Sequence, residues 1–253
     1  MFPYRDELQT LRRPYVTMAL IAANVAVWVL VQGAGAPQPL MESVCDLGLI
    51  PGELTGLVAP GTSFPLGEGS ACVVEAGRHV SHLFTSMFLH GSWVHLLGNM
   101  WFLWIFGDNV EDAMTRPRFL AFYLLGGLAA AAAQVAASPS SGVPMVGASG
   151  AISAVMGAYL ILYPRVRVYA LVPLGIFLTS IALPAWSMLL YWAGLQLLSG
   201  VASVGDAAGD GVAFWAHVGG FTAGILLVRA FGRTDRVDVR DVERWRPKRL
   251  LWG

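Results

Sequence analysis

A serine among small residues, in Gly147-Ala148-Ser149-Gly150, opens one apolar stretch of the chain, and a histidine, His217, opens another in "WAHVGGFTAG". A serine becomes a nucleophile when a neutral histidine within hydrogen-bond reach takes its proton. The tetrahedral species formed by attack on a carbonyl then needs fixed N–H donors aimed at its oxyanion. "HGSWVHLLGNMWF" holds two such donors, His95 and Asn99, which a helix places at i and i+4 on one face, with His90 just ahead of them. The Ser149 backbone N–H is a third, because the first donors of a helix have no intrahelical acceptor. Each residue alone also has a plainer reading: Ser149 as small-residue helix packing, His217 and Asn99 as hydrogen bonds between helices. Their combination is what points to hydrolysis.

Other chemistries match the pattern less well. "GASGA" departs from the G-x-S-x-G elbow of soluble hydrolases, because a glycine directly follows the serine. The five histidines include no H-E-x-x-H, and no acid lies between His79 and His95, so neither a metal nor a cofactor is expected. No acid marks a third triad member either, so the expected unit is a Ser149–His217 dyad whose imidazole is oriented by packing.

The elements that must position these residues lie in a membrane. The chain is 56% hydrophobic and 13% charged with a mean hydropathy of +0.60, against about 25% charged for an ordinary soluble domain. Six runs approach the ~20 residues that cross a bilayer: Tyr15 to Gln32, Trp93 to Phe106 with a lead-in from Leu83, Phe119 to Ala137, Val146 to Tyr163, Ala185 to Val204, and Phe214 to Phe231. No leader with a small-residue cleavage site precedes the first, so it is expected to stay as a span. A seventh run, Val166 to Leu183, is interrupted by Arg167 and Pro173. Six spans with both termini in the cytoplasm put every Lys and Arg except Arg78 on the cytoplasmic side. A seventh span would carry the basic tail across, against the positive-inside bias, so Val166 to Leu183 is expected to be interfacial or re-entrant. In that topology Ser149 and His217 both lie within the first turn of spans that start at the outer face, level with His90, His95 and Asn99. Polar groups at membrane depth face the bundle interior or water and mark function by default.

Taken together, "HGSWVHLLGNMWFLWIFGDNVED" from His90, "VGASGAI" around Ser149 and "WAHVGGFTAG" around His217 make the sequence resemble the rhomboid intramembrane serine proteases, from about Phe84 to Phe231. The resemblance implies an all-α polytopic membrane protein with the six-transmembrane-helix rhomboid fold. It implies Ser149 as nucleophile, His217 as general base, His95 and Asn99 as oxyanion donors, and His90 as a supporting hydrogen-bonder. Gly147 and Gly150 flank the nucleophile, and Gly220 and Gly224 match the spacing that lets the histidine helix press against the serine helix. It also implies lateral access past the fifth span, capped by the outer loop of Ala202 to Val212. The match departs in two places. Some family members carry a tyrosine one turn after the nucleophile, where this chain has Ser153, so His217 is expected to be oriented by another group such as Phe214 or Trp215. A Trp-Arg pair of the first loop is replaced by Ser81 and His82.

The organisation expected is an N-terminal cytoplasmic segment 1–14, a core 15–231 with a long outer loop 33–89, and a basic tail 232–253. Prolines and glycines make the outer loop turn-rich. It holds both cysteines, Cys45 and Cys72, either as a disulfide or as two buried thiols. The tail alternates acid and base and is expected to anchor along anionic headgroups through Trp245 and Trp252. The function expected is a protease of a prokaryotic plasma membrane that cuts single-pass membrane proteins near the outer face. Substrates with Gly or Pro near the bond suit it, because the segment must unwind. No nucleic-acid partner is expected. The rival is a non-catalytic rhomboid-like protein that binds membrane proteins, and the presence of both Ser149 and His217 favours the enzyme. A transporter would require acids inside the spans or paired broken helices.

Overall fold

The architecture described here is that of a computed structural model, which describes residues 2–66, 71–174, 177–203 and 212–232. The basic tail, with its anchoring expectation at Trp245 and Trp252, and residues 204–211 of the capping loop lie outside the described residues. In chain order the elements are β1 (Phe2–Asp6), α1 (Tyr15–Leu30), α2 (Pro37–Leu47), α3 (Pro51–Thr55), β2 (Ser63–Pro65), β3 (Ala71–Val73), α4 (His82–Thr85), α5 (Trp93–Phe102), α6 (Asp108–Ala113), α7 (Arg116–Ala137), α8 (Ser149–Leu162), β4 (Arg167–Leu174), β5 (Phe177–Pro184), α9 (Ala185–Ala202) and α10 (Phe214–Phe231). A π-type turn, Leu103–Gly107, joins α5 to α6.

All six apolar runs fold as helix, in α1, α5, α7, α8, α9 and α10. Two of them, Arg116–Ala137 and Phe214–Phe231, are long and apolar enough by themselves to cross a bilayer. Large apolar side chains also face outward, with Leu30 and Val94 both 81% exposed, as expected where the surrounding medium is lipid rather than water. At the centre is α8, buried without a break from Gly150 to Leu160. Small residues make this burial possible. A Cβ on Gly220 would strike the Gly150 carbonyl, one on Gly224 the Ala154 carbonyl, and one on Gly157 the Phe221 carbonyl, so α8 and α10 touch backbone to backbone. On the other side, Gly126 of α7 lies against Ala154. This close approach is how helices gain dispersion contact where the hydrophobic effect offers little.

The fold is not purely helical. The run Val166 to Leu183, expected to lie at or dip into the interface, is a β-hairpin, with β4 pairing antiparallel to β5 from Arg167↔Pro184 to Leu174↔Phe177. The N-terminal segment adds β1 along the other side of β4, giving the order β1-β4-β5. Strand pairing satisfies backbone groups that an isolated interfacial segment would leave to water. Below the sheet, Tyr159 of α8 donates to Asp6 (2.5 Å), and Asn109 Nδ2 donates to the same carboxylate (3.0 Å). Buried Glu111 accepts from the Val16 N–H (3.0 Å), the Thr17 N–H (2.8 Å) and the Thr17 hydroxyl (2.8 Å), and so caps α1 from another helix.

The outer loop contains more helix than its prolines suggest. Pro37 stands at the start of α2, where its missing N–H costs nothing, so the turn signal was a helix start. Cys45 and Cys72 form a disulfide across a separation of 27 residues. The loop also clamps the segment leading to Ser149: Leu49 and Met145 exchange backbone bonds (3.0 and 2.8 Å), the Gly52 N–H reaches Ser141 O (2.8 Å), and the Thr55 hydroxyl reaches Pro139 O (2.7 Å). At the positions of the absent Trp-Arg pair, His82 lies over buried Glu53 (3.8 Å) and stacks on His79 (4.9 Å between ring centres).

Candidate active site

Ser149 is the first residue of α8, so its N–H points out of the helix end and its hydroxyl meets the start of α10. There His217 Nε2 lies 2.8 Å from Ser149 Oγ. The first turn of α10 is held by Gln134 of α7, whose side-chain oxygen accepts from the Ala216 N–H (3.2 Å). Both residues line a cavity of about 520 Å³ together with His95, Asn99, Gly147 and Trp192.

His95 and Asn99, the expected oxyanion donors, line the same cavity. Ser92 caps α5 by accepting from the His95 N–H (3.1 Å). The Gly91 N–H donates to His95 Nδ1 (3.3 Å), which leaves the ring proton on Nε2, directed at the cavity. Asn99 is buried, and its Nδ2 has no acceptor among the described residues. Gly147 supplies the space between His95 and Ser149. Its φ of +127° is closed to other residues at low cost, and a Cβ there would sit 2.8 Å from His95 Nε2 and 3.5 Å from Ser149 Oγ. One point in space is therefore within reach of both the Ser149 hydroxyl and the His95 ring N–H, the arrangement a carbonyl under attack would require. The Gly147 N–H is pinned to Ser86 O (2.8 Å) at the end of the outer loop.

The structure thus brings Ser149, His217, His95, Asn99 and Gly147 together at one cavity. His90 lies behind them, fully buried, and meets His95 edge-on at 5.1 Å between ring centres rather than through a hydrogen bond. Gly150, Gly220 and Gly224 are at the α8–α10 contact.

A match to the Rhomboid domain family model covers residues 77–234, more than half of the chain. The chain belongs to the rhomboid family. This rhomboid is similar to Rhomboid-like protease 5 of Toxoplasma gondii, 34% identical over 147 residues, which are 56% of this chain and 15% of that protein. It is also similar to Presenilin-associated rhomboid-like protein A, mitochondrial, of Danio rerio, 33% identical over 84 residues, 32% of this chain and 22% of the relative. A third relative is RHOMBOID-like protein 12, mitochondrial, of Arabidopsis thaliana, 31% identical over 162 residues, 57% of this chain and 48% of the relative. The matched region therefore spans less than half the length of each of these relatives. Family membership makes the chain a membrane protein.

The surroundings of the His217 ring differ from the expectation in this rhomboid. Neither Phe214 nor Trp215 makes a ring contact with His217; the Trp215 ring and the Phe214 Cβ lie against Gly200 of α9. Trp215 is two residues from His217 and so leaves the helix on a different face. The neighbours of the ring are instead Trp192, at 5.9 Å between ring centres, and Gln196, whose Oε1 is 2.8 Å from His217 Nδ1. Ser153 turns back along its own helix and donates to Ser149 O (2.6 Å). Three glutamines escaped the reading of the sequence: Gln196, Gln134, and Gln32, which is fully buried and holds both backbone groups of His90 at 2.8 Å. A signal existed, since an amide in an apolar run needs a partner, but the partner's identity was not in the run.

Proposed function

We propose that this rhomboid is an intramembrane serine endopeptidase with Ser149 as nucleophile and His217 as general base. The observation that carries the reading is the 2.8 Å approach of His217 Nε2 to Ser149 Oγ at a cavity that His95 and Asn99 also line. Ser149 Oγ attacks the scissile carbonyl carbon as its proton passes to His217 Nε2. The oxyanion is received by the N–H of Ser149, the Nε2–H of His95 and the amide of Asn99, each aimed at where charge develops. As the intermediate collapses, His217 gives its proton to the departing amine and leaves an acyl ester on Ser149. Water then attacks the ester, with His217 taking and returning the proton, and releases the second product.

The six helices span the bilayer with both termini in the cytoplasm, a topology supported by the placement of the basic residues. Ser149 then lies near the outer face of a plasma membrane, where a hydrated cavity costs less than at the midplane. Substrates are single-pass membrane proteins that unwind near the cleaved bond, and no metal or cofactor takes part. Access past α9 is supported by the sparse burial of that helix, and Trp186→Ala should change the cleavage rate if that route is used. Reporter fusions at both termini test the topology.

The decisive experiment is cleavage of a single-pass substrate in liposomes by wild type, Ser149→Ala and His217→Ala, with fluorophosphonate labelling in parallel. Loss of both signals in the two variants supports the protease. A wild type that binds such substrates but neither cuts nor labels is instead a membrane-protein binder.

A further inference from the structure

We infer that Gln196 is a positioning residue for the proposed base, holding His217 in the one tautomer that can take the Ser149 proton. The inference rests on the protease reading and supplies its missing third member. A neutral imidazole has one N–H and one bare nitrogen. For Nε2 to accept the Ser149 proton it must be bare, so Nδ1 must carry the hydrogen. Nδ1 lies 2.8 Å from Gln196 Oε1, a carbonyl oxygen that can only accept, which selects this arrangement. Among the described residues no carboxylate approaches that nitrogen, so a neutral amide stands where hydrolases of the Ser-His-Asp kind place an acid.

The same helix controls the ring's tilt. Trp192 is one turn before Gln196, so both project from one face of α9, and the Trp192 ring packs on His217 and on Phe221 at 5.9 Å each. The Nδ1 partner and the aromatic neighbour of the ring therefore both come from α9, whose opposite face leaves Leu198 and Val201 exposed. A shift of α9 by about 1 Å would take the Nδ1 contact beyond hydrogen-bond length. His217 is thus competent only while α9 is docked.

The test uses the full chain in detergent, with Gln196→Leu and Gln196→Glu, and has two independent readouts. The first is nitrogen NMR with isotope-labelled histidine, with the His217 signal assigned by its loss in His217→Ala. The wild type should show a protonated Nδ1 and a bare Nε2, and Gln196→Leu should lose that preference while the His95 signal stays in place. The second is kinetic. Gln196→Leu should lower kcat at least about tenfold, with KM within about twofold. Gln196→Glu should recover most of kcat and move the acid limb of the kcat/KM profile up by about one pH unit or more, because a carboxylate favours the imidazolium. A wild-type His217 protonated on Nε2 would overturn the inference whether or not the protein cleaves anything. So would a Gln196→Leu variant with unchanged kcat, or a Gln196→Glu profile that does not move. Absence of Ser149-dependent cleavage in the wild type would count against the protease reading alone, since the tautomer is read without it.

Discussion

Gly147→Ala separates catalysis from folding most cleanly, because the consequences of one methyl can be worked through. Two costs arise together. The backbone at φ +127° suits glycine and is strained for alanine, at about 1–3 kcal/mol. The new Cβ would stand 2.8 Å from His95 Nε2, so the imidazole must withdraw by more than half an ångström to regain ordinary contact. Neither side yields easily: the Gly147 N–H is tied to Ser86 O at 2.8 Å, and His95 is tied through its Nδ1 to the Gly91 N–H and through its own N–H to Ser92. The methyl also fills the space a substrate carbonyl would enter. Removing one oxyanion donor costs about 10²–10³ in kcat, and Gly147→Ala should reach that range. Its melting transition in detergent should show a loss of only about 1–3 kcal/mol. Gly194→Ala is the control: nothing lies within 4 Å of that position on α9, and it should be neutral or stabilising by about 0.5–1 kcal/mol. The assay is liposome cleavage alongside detergent melting for both variants. If Gly147→Ala cleaved within threefold of wild type, the cavity between His95 and Ser149 would not be where the oxyanion forms.

Further expectations follow from groups outside the site. Glu111→Ala should destabilise by about 2–4 kcal/mol, because it strips three hydrogen bonds from the start of α1; detergent melting reads it, and a change under about 0.5 kcal/mol would mean that water replaces the cap. Reducing Cys45–Cys72, whose partners are separated by 27 positions, should cost the outer loop about 3.5 kcal/mol in the chain-entropy model, seen as faster proteolysis of the loop in reductant and in Cys72→Ser. His82 sets a pH dependence. Burial, then the neighbouring His79, lower its pKa, while Glu53, Glu75 and Asp46 oppose the shift. The unfolded chain then binds more protons than the folded one, so this contribution is complete above about pH 6.5 and lost as pH falls below it. Melting at pH 5 and pH 8 should show the difference, and His82→Asn should shrink it; an unchanged difference would assign it to another group. EDTA should leave cleavage unaffected, since no step of the proposed chemistry uses a metal.

The sequence by itself determined the medium, the helices and the candidate site residues. Continuous apolar runs form helix because every backbone group must be paired out of water, so α1, α5, α7, α8, α9 and α10 were legible from composition and length. Ser149, His217, His95 and Asn99 were legible because polar groups stand out against such runs. The close contact of α8 and α10 was foreshadowed by Gly220 and Gly224, since small residues at that spacing have little use except to let backbones meet. Only the tertiary structure decided what surrounds each of these groups. The third strand of the sheet, β1, pairs with β4 from more than 150 residues away in sequence, and local pattern cannot announce a partner so distant. The outer loop's hold on Gly147 runs through backbone carbonyls, which carry no residue identity at all. Gln196 reads as one amide in an apolar helix, and whether it meets lipid, another helix or His217 is set by how α9 is rotated against α10. Burial pattern fixes which residues avoid water. Orientation at the His217 ring is fixed by contacts between helices, and these exist only once the bundle has closed.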